Sequence, residues 1–134
     1  MGIINNIFGK KEAAKENSSN GIEWLSLNSN DELTSAIEAS METPVLLFKH
    51  STRCSISSSA LSRVTRSWNN SEVNVKPYLL DLIAHREVSA EIADRLNVVH
   101  QSPQMIIVHK GKAIFNSSHM EINFSDVVKH APIN

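Results

Sequence analysis

The chain has 134 residues, a formal net charge of −1 and a single cysteine. At this length we expect one domain with its own hydrophobic core. Because the 13 Lys and Arg side chains are balanced by 14 Asp and Glu side chains, the chain has no excess of positive charge to bind a nucleic-acid backbone. A lone cysteine excludes an intramolecular disulfide, and no apolar run reaches the about 20 residues of a transmembrane helix. The composition predicts a monomeric cytoplasmic domain without a nucleic-acid or membrane partner, whose thiol stays reduced.

Residues 1–20 differ in composition from the rest of the chain. They end in the polar run Asn17–Asn20, which is typical of a turn or linker. Their apolar residues are split by Asn5-Asn6 and lack a basic segment before them, so they make a poor signal peptide. We therefore expect an N-terminal appendage over residues 1–20, compatible with flexibility, and one domain over residues 21–134.

From Gly21 onward, the apolar residues switch between a period of two and a period of three to four, which predicts strands and helices in turn. Pro44 ends the first helical pattern, and the tight turn Lys110-Gly111 joins the last two strands into a hairpin. The predicted strands are Ile22–Leu27, Val45–Lys49, Val75–Ile83, Gln104–His109 and Lys112–Asn116. The predicted helices carry Leu33–Ser40 after a cap at Asn30 or Asp31, Leu61–Trp68, His85–Leu96, and Phe124–Val128 after a cap at Asn123.

The order of these elements, β-α-β-α-β-α-β-β-α, predicts the fold class. Strands joined through helices pair in parallel by right-handed crossovers, whereas the final hairpin is antiparallel. An α/β fold follows, with a mixed sheet of about five strands and about four helices on its two faces. This is the thioredoxin-like arrangement, which does not by itself give a function.

Cys54 lies five residues after the predicted central strand, at the expected start of the next helix. There the unpaired N–H groups and the positive end of the helix dipole favour thiolate, the nucleophile of disulfide exchange. Arg53 and His50 would add positive charge nearby. A free cysteine is more often a small buried residue, but the polar neighbours Thr52 and Ser55 do not suit a core. We therefore expect a reactive cysteine.

Ser57 stands three residues after the cysteine, where a resolving thiol would complete a C-x-x-C motif. Because that thiol is missing, an external thiol must release any mixed disulfide formed at Cys54. The pattern predicts a monothiol exchanger. Ser57 would either bond the Cys54 sulfur or satisfy the helix backbone as an ordinary first-turn serine.

Pro103 opens a predicted strand directly after Ser102, where a missing N–H costs least. Cis bonds are only about 5–6% of X–Pro bonds in folded proteins, but a proline at this point of a thioredoxin-like fold is typically cis. We expect a cis Ser102–Pro103 bond against the nucleophile, with neighbouring backbone free to pair with substrate. An ordinary trans proline is the alternative.

The hairpin returns the chain to the cysteine end of the sheet. It brings Ser118 and His119 near the start of the last helix, where anionic groups bind readily. His100, just before the proline loop, is expected to face the same cleft, and histidine can serve as acid, base or donor near neutral pH. A surface position is the alternative for each. The other histidines are expected at the surface: His85, His109 and His130. No motif indicates a bound metal or cofactor.

Three short stretches resemble the YtxJ-like monothiol bacilliredoxins: Lys49–Ser57, His100–Gln104 and Ser118-His119. The likeness covers about residues 22–130, and the pairing of S-x-x-C-x-I-S with H-x-S-P-Q makes it specific. The resemblance implies a thioredoxin-like fold and the removal of bacillithiol from S-thiolated proteins in the bacterial cytosol.

The resemblance also implies roles for individual residues. Cys54 would accept the bacillithiol, Ser57 would occupy the place of the resolving thiol, and Ser102-Pro103 would border the substrate groove. One departure is Ser55, which stands where the family commonly has proline. Because proline suits a first helical turn, this change bears on rate and redox potential.

The implied reaction has two steps and no bound cofactor, with bacillithiol as co-substrate. The Cys54 thiolate attacks the small-thiol sulfur of a bacillithiolated client protein, and a second low-molecular-weight thiol then releases the adduct. Because bacillithiol carries carboxylates, Arg53, His119 and the start of the final helix would anchor it. Thr52 and Ser55 would support the site.

Three other functions stay open at this point. A peroxidase motif P-x-x-x-[ST]-x-x-C is half met, since Ser51 fits but Leu47 stands at the proline position. An iron–sulfur carrier with C-x-x-S would need a Gly-Gly pair before the last helix, where Ser117-Ser118 stands instead. A non-catalytic module would bind partners by β-augmentation at the proline-loop edge.

Overall fold

The computed structural model describes residues 21–133. The predicted appendage over residues 1–20 lies outside the described residues. Within them, no helix has both the length and the apolar character needed to cross a membrane.

Five strands and four α-helices alternate along residues 21–133 in the predicted order. A 3₁₀ turn, His119–Glu121, precedes the last helix. The strands are β1 (Leu25–Ser26), β2 (Val45–His50), β3 (Lys76–Asp81), β4 (Gln104–His109) and β5 (Lys112–Ser118). The helices are α1 (Asn30–Ala39), α2 (Ser55–Ser67), α3 (Arg86–Leu96) and α4 (Phe124–His130).

Two predictions at the start of the domain are wrong in detail. β1 is two residues long rather than six, because it pairs with β3 only at Leu25 and Ser26. Helix α1 is capped by Ser29, one or two residues earlier than predicted. The Ser29 hydroxyl accepts the Glu32 N–H at 3.1 Å, and the Glu32 carboxylate accepts the Asn28 N–H at 2.6 Å. This reciprocal pair, similar to a capping box, fixes the helix start.

The strands form one mixed sheet in the order β1-β3-β2-β4-β5. β3 is parallel to both β1 and β2, whereas β4 is antiparallel to β2 and to β5. Parallel pairs therefore occupy one half of the sheet and antiparallel pairs the other. The predicted combination of crossovers and a closing hairpin is confirmed.

The core lies in two layers, because successive side chains of a strand point to opposite faces of the sheet. Val45 and Leu47 of β2 belong to the layer covered by α1 and α3. Leu46 and Phe48 belong to the layer covered by α2 and α4. The side chains of β2 therefore alternate between the two core layers.

The topology brings distant segments together at one edge of the sheet. The parallel strands β1, β2 and β3 end there, β4 begins there, and β5 returns to it. Lys49 pairs with Gln104, and Gln104 pairs with Ser118. The loop after β2, which carries Cys54, consequently shares this edge with Pro103 and with the residues after Ser118.

Candidate active site

Cys54 is the N-cap of α2, as its position in the sequence predicts. Its backbone is extended, with φ −118° and ψ 122°, and the residue is partly exposed. The Cys54 N–H donates to the Ser51 carbonyl at 3.2 Å, and the Cys54 carbonyl accepts the Ser58 N–H at 3.1 Å. Residues 51–54 therefore form a closed turn that holds the thiol at the start of the helix.

Ser57 holds the same turn from inside the helix. It is fully buried, and its hydroxyl accepts the Ser51 N–H at 2.9 Å and lies 2.7 Å from His50 Nδ1. Within residues 21–133 the structure gives this hydroxyl these two partners and no bond to the Cys54 sulfur. Ser57 acts on Cys54 through the backbone of Ser51.

His50 is the last residue of β2 and pairs in register with Asp81 at the end of β3. Burial lowers the pKa of His50, and the negative charge of Asp81 offsets this only in part. His50 is therefore neutral near pH 7, and the expectation that it adds positive charge beside the cysteine is wrong. Its ring serves as a hydrogen-bonding partner of Ser57.

The loop before β4 contains a cis Ser102–Pro103 peptide bond. The buried side chain of Gln104 braces this loop, since its oxygen accepts the Gln101 N–H at 3.3 Å and its nitrogen donates to the Val99 carbonyl at 3.0 Å. On the other side, a residue from the end of the hairpin donates its backbone N–H to the Pro103 carbonyl at 3.2 Å. Both flanks of the loop are thus fixed.

That donor is His119, which lies at the cysteine edge in the 3₁₀ turn, exposed and with φ 57°. Arg63 of α2 holds this turn in place. Its guanidinium donates to the His119 carbonyl and to the Ile122 carbonyl, each at 3.1 Å. Arg63 is not predicted from the sequence, because its two partners lie 56 and 59 positions away and no local motif indicates these contacts.

The start of α4 does not suit the expected role of a carboxylate anchor. Asn123 caps the helix as predicted, its side-chain oxygen accepting the Asp126 N–H at 2.9 Å. The first turn carries the Asp126 carboxylate, and the helix has only seven residues. A negative charge already occupies the position that an anion would take.

His100 and Lys49 form a pair that sequence reasoning missed. The Lys49 side chain is fully buried, and its Nζ lies 3.0 Å from His100 Nδ1. The hydroxyl of Ser89 in α3 lies 3.4 Å from the same ring nitrogen. This ring therefore sits on the α3 side of the sheet, so the expectation that His100 faces the cysteine cleft is wrong.

Thr52, Arg53 and Ser55 surround Cys54, and all three are exposed. They are available to a bound molecule rather than committed to packing. Within residues 21–133, no group of three or more His, Cys, Asp or Glu side chains is placed to hold a metal ion.

Two grooves of about 400 Å³ lie at the edge of the sheet that the Cys54 loop shares. The first, which we call the β1–β3 groove, lies where β1, β2 and β3 end. The second, the cis-proline groove, lies where β4 begins and β5 ends. Residues of the β1–β3 groove include Trp24, Ser26, Asn28, His50, Thr52 and Asp81. Residues of the cis-proline groove are Gln101, Ser118, His119, Met120 and Glu121.

Residues 25–127 match the family model of the monothiol bacilliredoxin BrxC. The chain belongs to this family. It is also similar to a solved structure described as a proposed oxidoreductase with a thioredoxin fold, at 30% identity and a TM-score of 0.69, over 78% of this chain and 90% of the other. Family and fold together give the chain a role in thiol–disulfide redox chemistry.

More distant solved structures share the fold alone. A thioredoxin of Malassezia sympodialis is 14% identical with a TM-score of 0.63, over 81% of this chain and 87% of that one. The Nicotiana alata thioredoxin NaTrxh is 12% identical with a TM-score of 0.64, over 86% of this chain and 98% of that one. These matches agree with the mixed five-stranded sheet.

Proposed function

We propose that the protein is a monothiol exchange enzyme that removes bacillithiol from S-thiolated client proteins in a bacterial cytoplasm. The observation that carries this proposal is the setting of Cys54, the only cysteine in the sequence, partly exposed at the start of α2. Membership in the monothiol bacilliredoxin family supports bacillithiol as the small thiol.

The first step is an exchange at sulfur. The Cys54 thiolate attacks the bacillithiol sulfur of the client mixed disulfide, so that a new S–S bond forms between Cys54 and bacillithiol. The client disulfide bond breaks, and the client cysteine leaves as a thiolate that takes a proton from water. One disulfide replaces another, and no external oxidant is needed.

The second step requires another molecule. Because the sequence has no second cysteine and Ser57 occupies the place of a resolving thiol, a low-molecular-weight thiol attacks the bacillithiol sulfur. A disulfide forms between this small thiol and bacillithiol, and the S–S bond between bacillithiol and Cys54 breaks. Cys54 leaves as a thiolate that can react with the next client.

The client would dock over the cis-proline groove. The exposed apolar side chain of Met120 lines this groove, and that of Ile56 lies two residues after Cys54. Such side chains suit contact with a protein partner. Arg53, exposed beside Cys54, would contact the carboxylates of the bacillithiol carried by the client, and His119, exposed in the cis-proline groove, would contact the client itself.

Intact-mass spectrometry tests the proposal. The reduced protein is mixed with a client bearing bacillithiol, and we expect one bacillithiol to appear on it while the client loses the same mass. Cys54→Ser should show no transfer, and addition of free thiol should restore the unmodified protein. Absence of any adduct on Cys54 would overturn the proposal.

Parallel reactions separate the exchange chemistry from the choice of thiol. Clients carrying glutathione or coenzyme A are compared with the bacillithiolated client at equal concentration. We expect fastest transfer from bacillithiol. Comparable rates from all three would contradict the bacillithiol assignment while retaining the monothiol exchanger.

A further inference from the structure

We propose that the β1–β3 groove binds the sugar ring of the low-molecular-weight thiol, on the opposite side of Cys54 from the client. This inference rests on the proposed function, in which the small thiol is bacillithiol, a cysteine joined to an amino sugar that carries malate. The groove thereby selects the thiol by a part of the molecule that takes no part in the exchange.

The β1–β3 groove adjoins the segment that leads to Cys54. His50 and Thr52, which line it, precede Cys54 by four and two residues. His50 also belongs to the network that closes the Cys54 turn, through the 2.7 Å contact with Ser57. A ligand in this groove therefore contacts the segment that leads to Cys54, and the cis-proline groove, which has no lining residue in common with it, stays open for a second partner.

The groove has hydrogen-bonding groups that are available to a ligand. Among the described residues, Asp81 is the only formally charged one that lines the groove. Its Oδ1 accepts the Ile83 N–H at 3.1 Å, and within residues 21–133 the structure gives its Oδ2 no hydrogen-bond partner. His50 engages Ser57 through Nδ1, so its Nε2 is the ring nitrogen left for a ligand. Burial keeps this ring neutral near pH 7.

These groups define what the groove accepts. The Asp81 carboxylate and the neutral His50 ring provide no positive charge to pair with a ligand carboxylate. The groove therefore disfavours an anionic group of a ligand. These two side chains do provide an acceptor and a ring nitrogen for hydroxyl groups. The exposed side chains of Asn28 and Thr52 add an amide and a hydroxyl. A ligand with several hydroxyl groups can form hydrogen bonds with all four of these side chains at once.

The groove also has an aromatic lining residue, Trp24. Trp24 is partly exposed in the groove, and its ring packs edge-on against Phe48, with the ring centroids 5.8 Å apart. The indole thus adds an apolar surface to a groove that also has polar groups, and a sugar ring presents C–H faces as well as hydroxyls. The volume of about 400 Å³ lies in the range of small-molecule sites.

Three thiols separate the parts of the ligand. Bacillithiol carries the ring and malate, cysteinyl-glucosamine keeps the ring without malate, and cysteine methylamide keeps the thiol and the amide without either. Each is offered as a mixed disulfide on the same client, and the rate of adduct formation on Cys54 is measured by mass spectrometry. We expect the two thiols with a ring to react about tenfold faster at low substrate concentration, which corresponds to one or two net hydrogen bonds.

Two variants locate this preference in the groove. Asp81→Asn keeps the Oδ1 acceptor of the following turn and removes the charge, and Asn28→Ala removes an exposed amide that the fold does not use. Within each variant, the ratio of the rates with the ring-bearing thiols to the rate with cysteine methylamide should fall several-fold. Glu121→Gln, which changes a charge in the cis-proline groove, is the matched control and should preserve the advantage.

The outcomes distinguish this inference from the proposed function. Equal rates for all three thiols, or an advantage unaltered in both groove variants, would overturn the sugar site while Cys54 still accepts the adduct. An advantage that requires malate would overturn it as well. Failure of every thiol to modify Cys54 would instead overturn the proposed function.

Discussion

Lys49 and His50 are neighbours in β2, and they point to opposite faces of the same sheet edge. His50, on the α2 face, is neutral and bonded to Ser57, which closes the turn that carries Cys54. Lys49, on the α3 face, is fully buried, with His100 Nδ1 at 3.0 Å and no acidic partner within residues 21–133. The α2 face thus positions the thiol through neutral hydrogen bonds, whereas the α3 face holds an amine whose charge is costly to bury.

The largest expected effect concerns Lys49. Burial lowers its pKa from 10.5 to about 8, so between these pH values the unfolded chain binds more protons than the folded chain. The free energy of unfolding therefore rises with pH across this window. At about 1.4 kcal/mol per pH unit, the full gain is up to roughly 3 kcal/mol. Lys49→Met should remove this rise and be at least as stable as the wild type near pH 7.

Urea unfolding at pH 7.5, 9 and 10.5 measures this difference. The exposed Lys112 is a matched control, and Lys112→Met should keep the wild-type slope. If the free energy of unfolding of Lys49→Met rose with pH as in the wild type, the Lys49 amine would not be the group that titrates. The two faces would then not differ in the way described above.

The next effect concerns the α2 face. Ser57→Ala removes both hydrogen bonds of the buried hydroxyl and leaves the Ser51 N–H without its partner. We expect a loss of about 1–3 kcal/mol in the free energy of unfolding, as for other unsatisfied buried donors. Transfer of bacillithiol to Cys54 should also slow several-fold, because the turn that holds the thiol loses its hydrogen bond to α2.

Ser58→Ala is the control for this prediction, since Ser58 is exposed in the same helical turn. Its effect on stability should stay within about 0.5 kcal/mol. A Ser57 variant that is destabilised yet transfers at the wild-type rate would show that the network supports the fold and does not position the thiol.

The sequence predicts the fold well, because each long element has a clear apolar period. It fails at β1, an edge strand whose length depends on pairing with β3 rather than on its own residues. Cys54, Ser57 and Pro103 are identified from sequence since each belongs to a local pattern. The residue pairs at the same end of the sheet cannot be identified from sequence. Lys49 contacts His100, which is 51 positions away, and Asp81 lies beside His50 only because of strand register. Such contacts follow from topology, which short motifs do not encode.

The smallest expected effect lies at Ser117, in the strand that leads to His119. Ser117 pairs with Met105 of the α2-side core, and its hydroxyl is the one buried side-chain polar atom without a hydrogen-bond partner among the described residues. Ser117→Ala removes this unsatisfied group without opening a large cavity. We expect a gain of about 1 kcal/mol in the free energy of unfolding, measured by urea denaturation. A loss instead would mean that the hydroxyl is satisfied in solution, and that the buried side-chain polar atoms of the α2 face are all hydrogen-bonded.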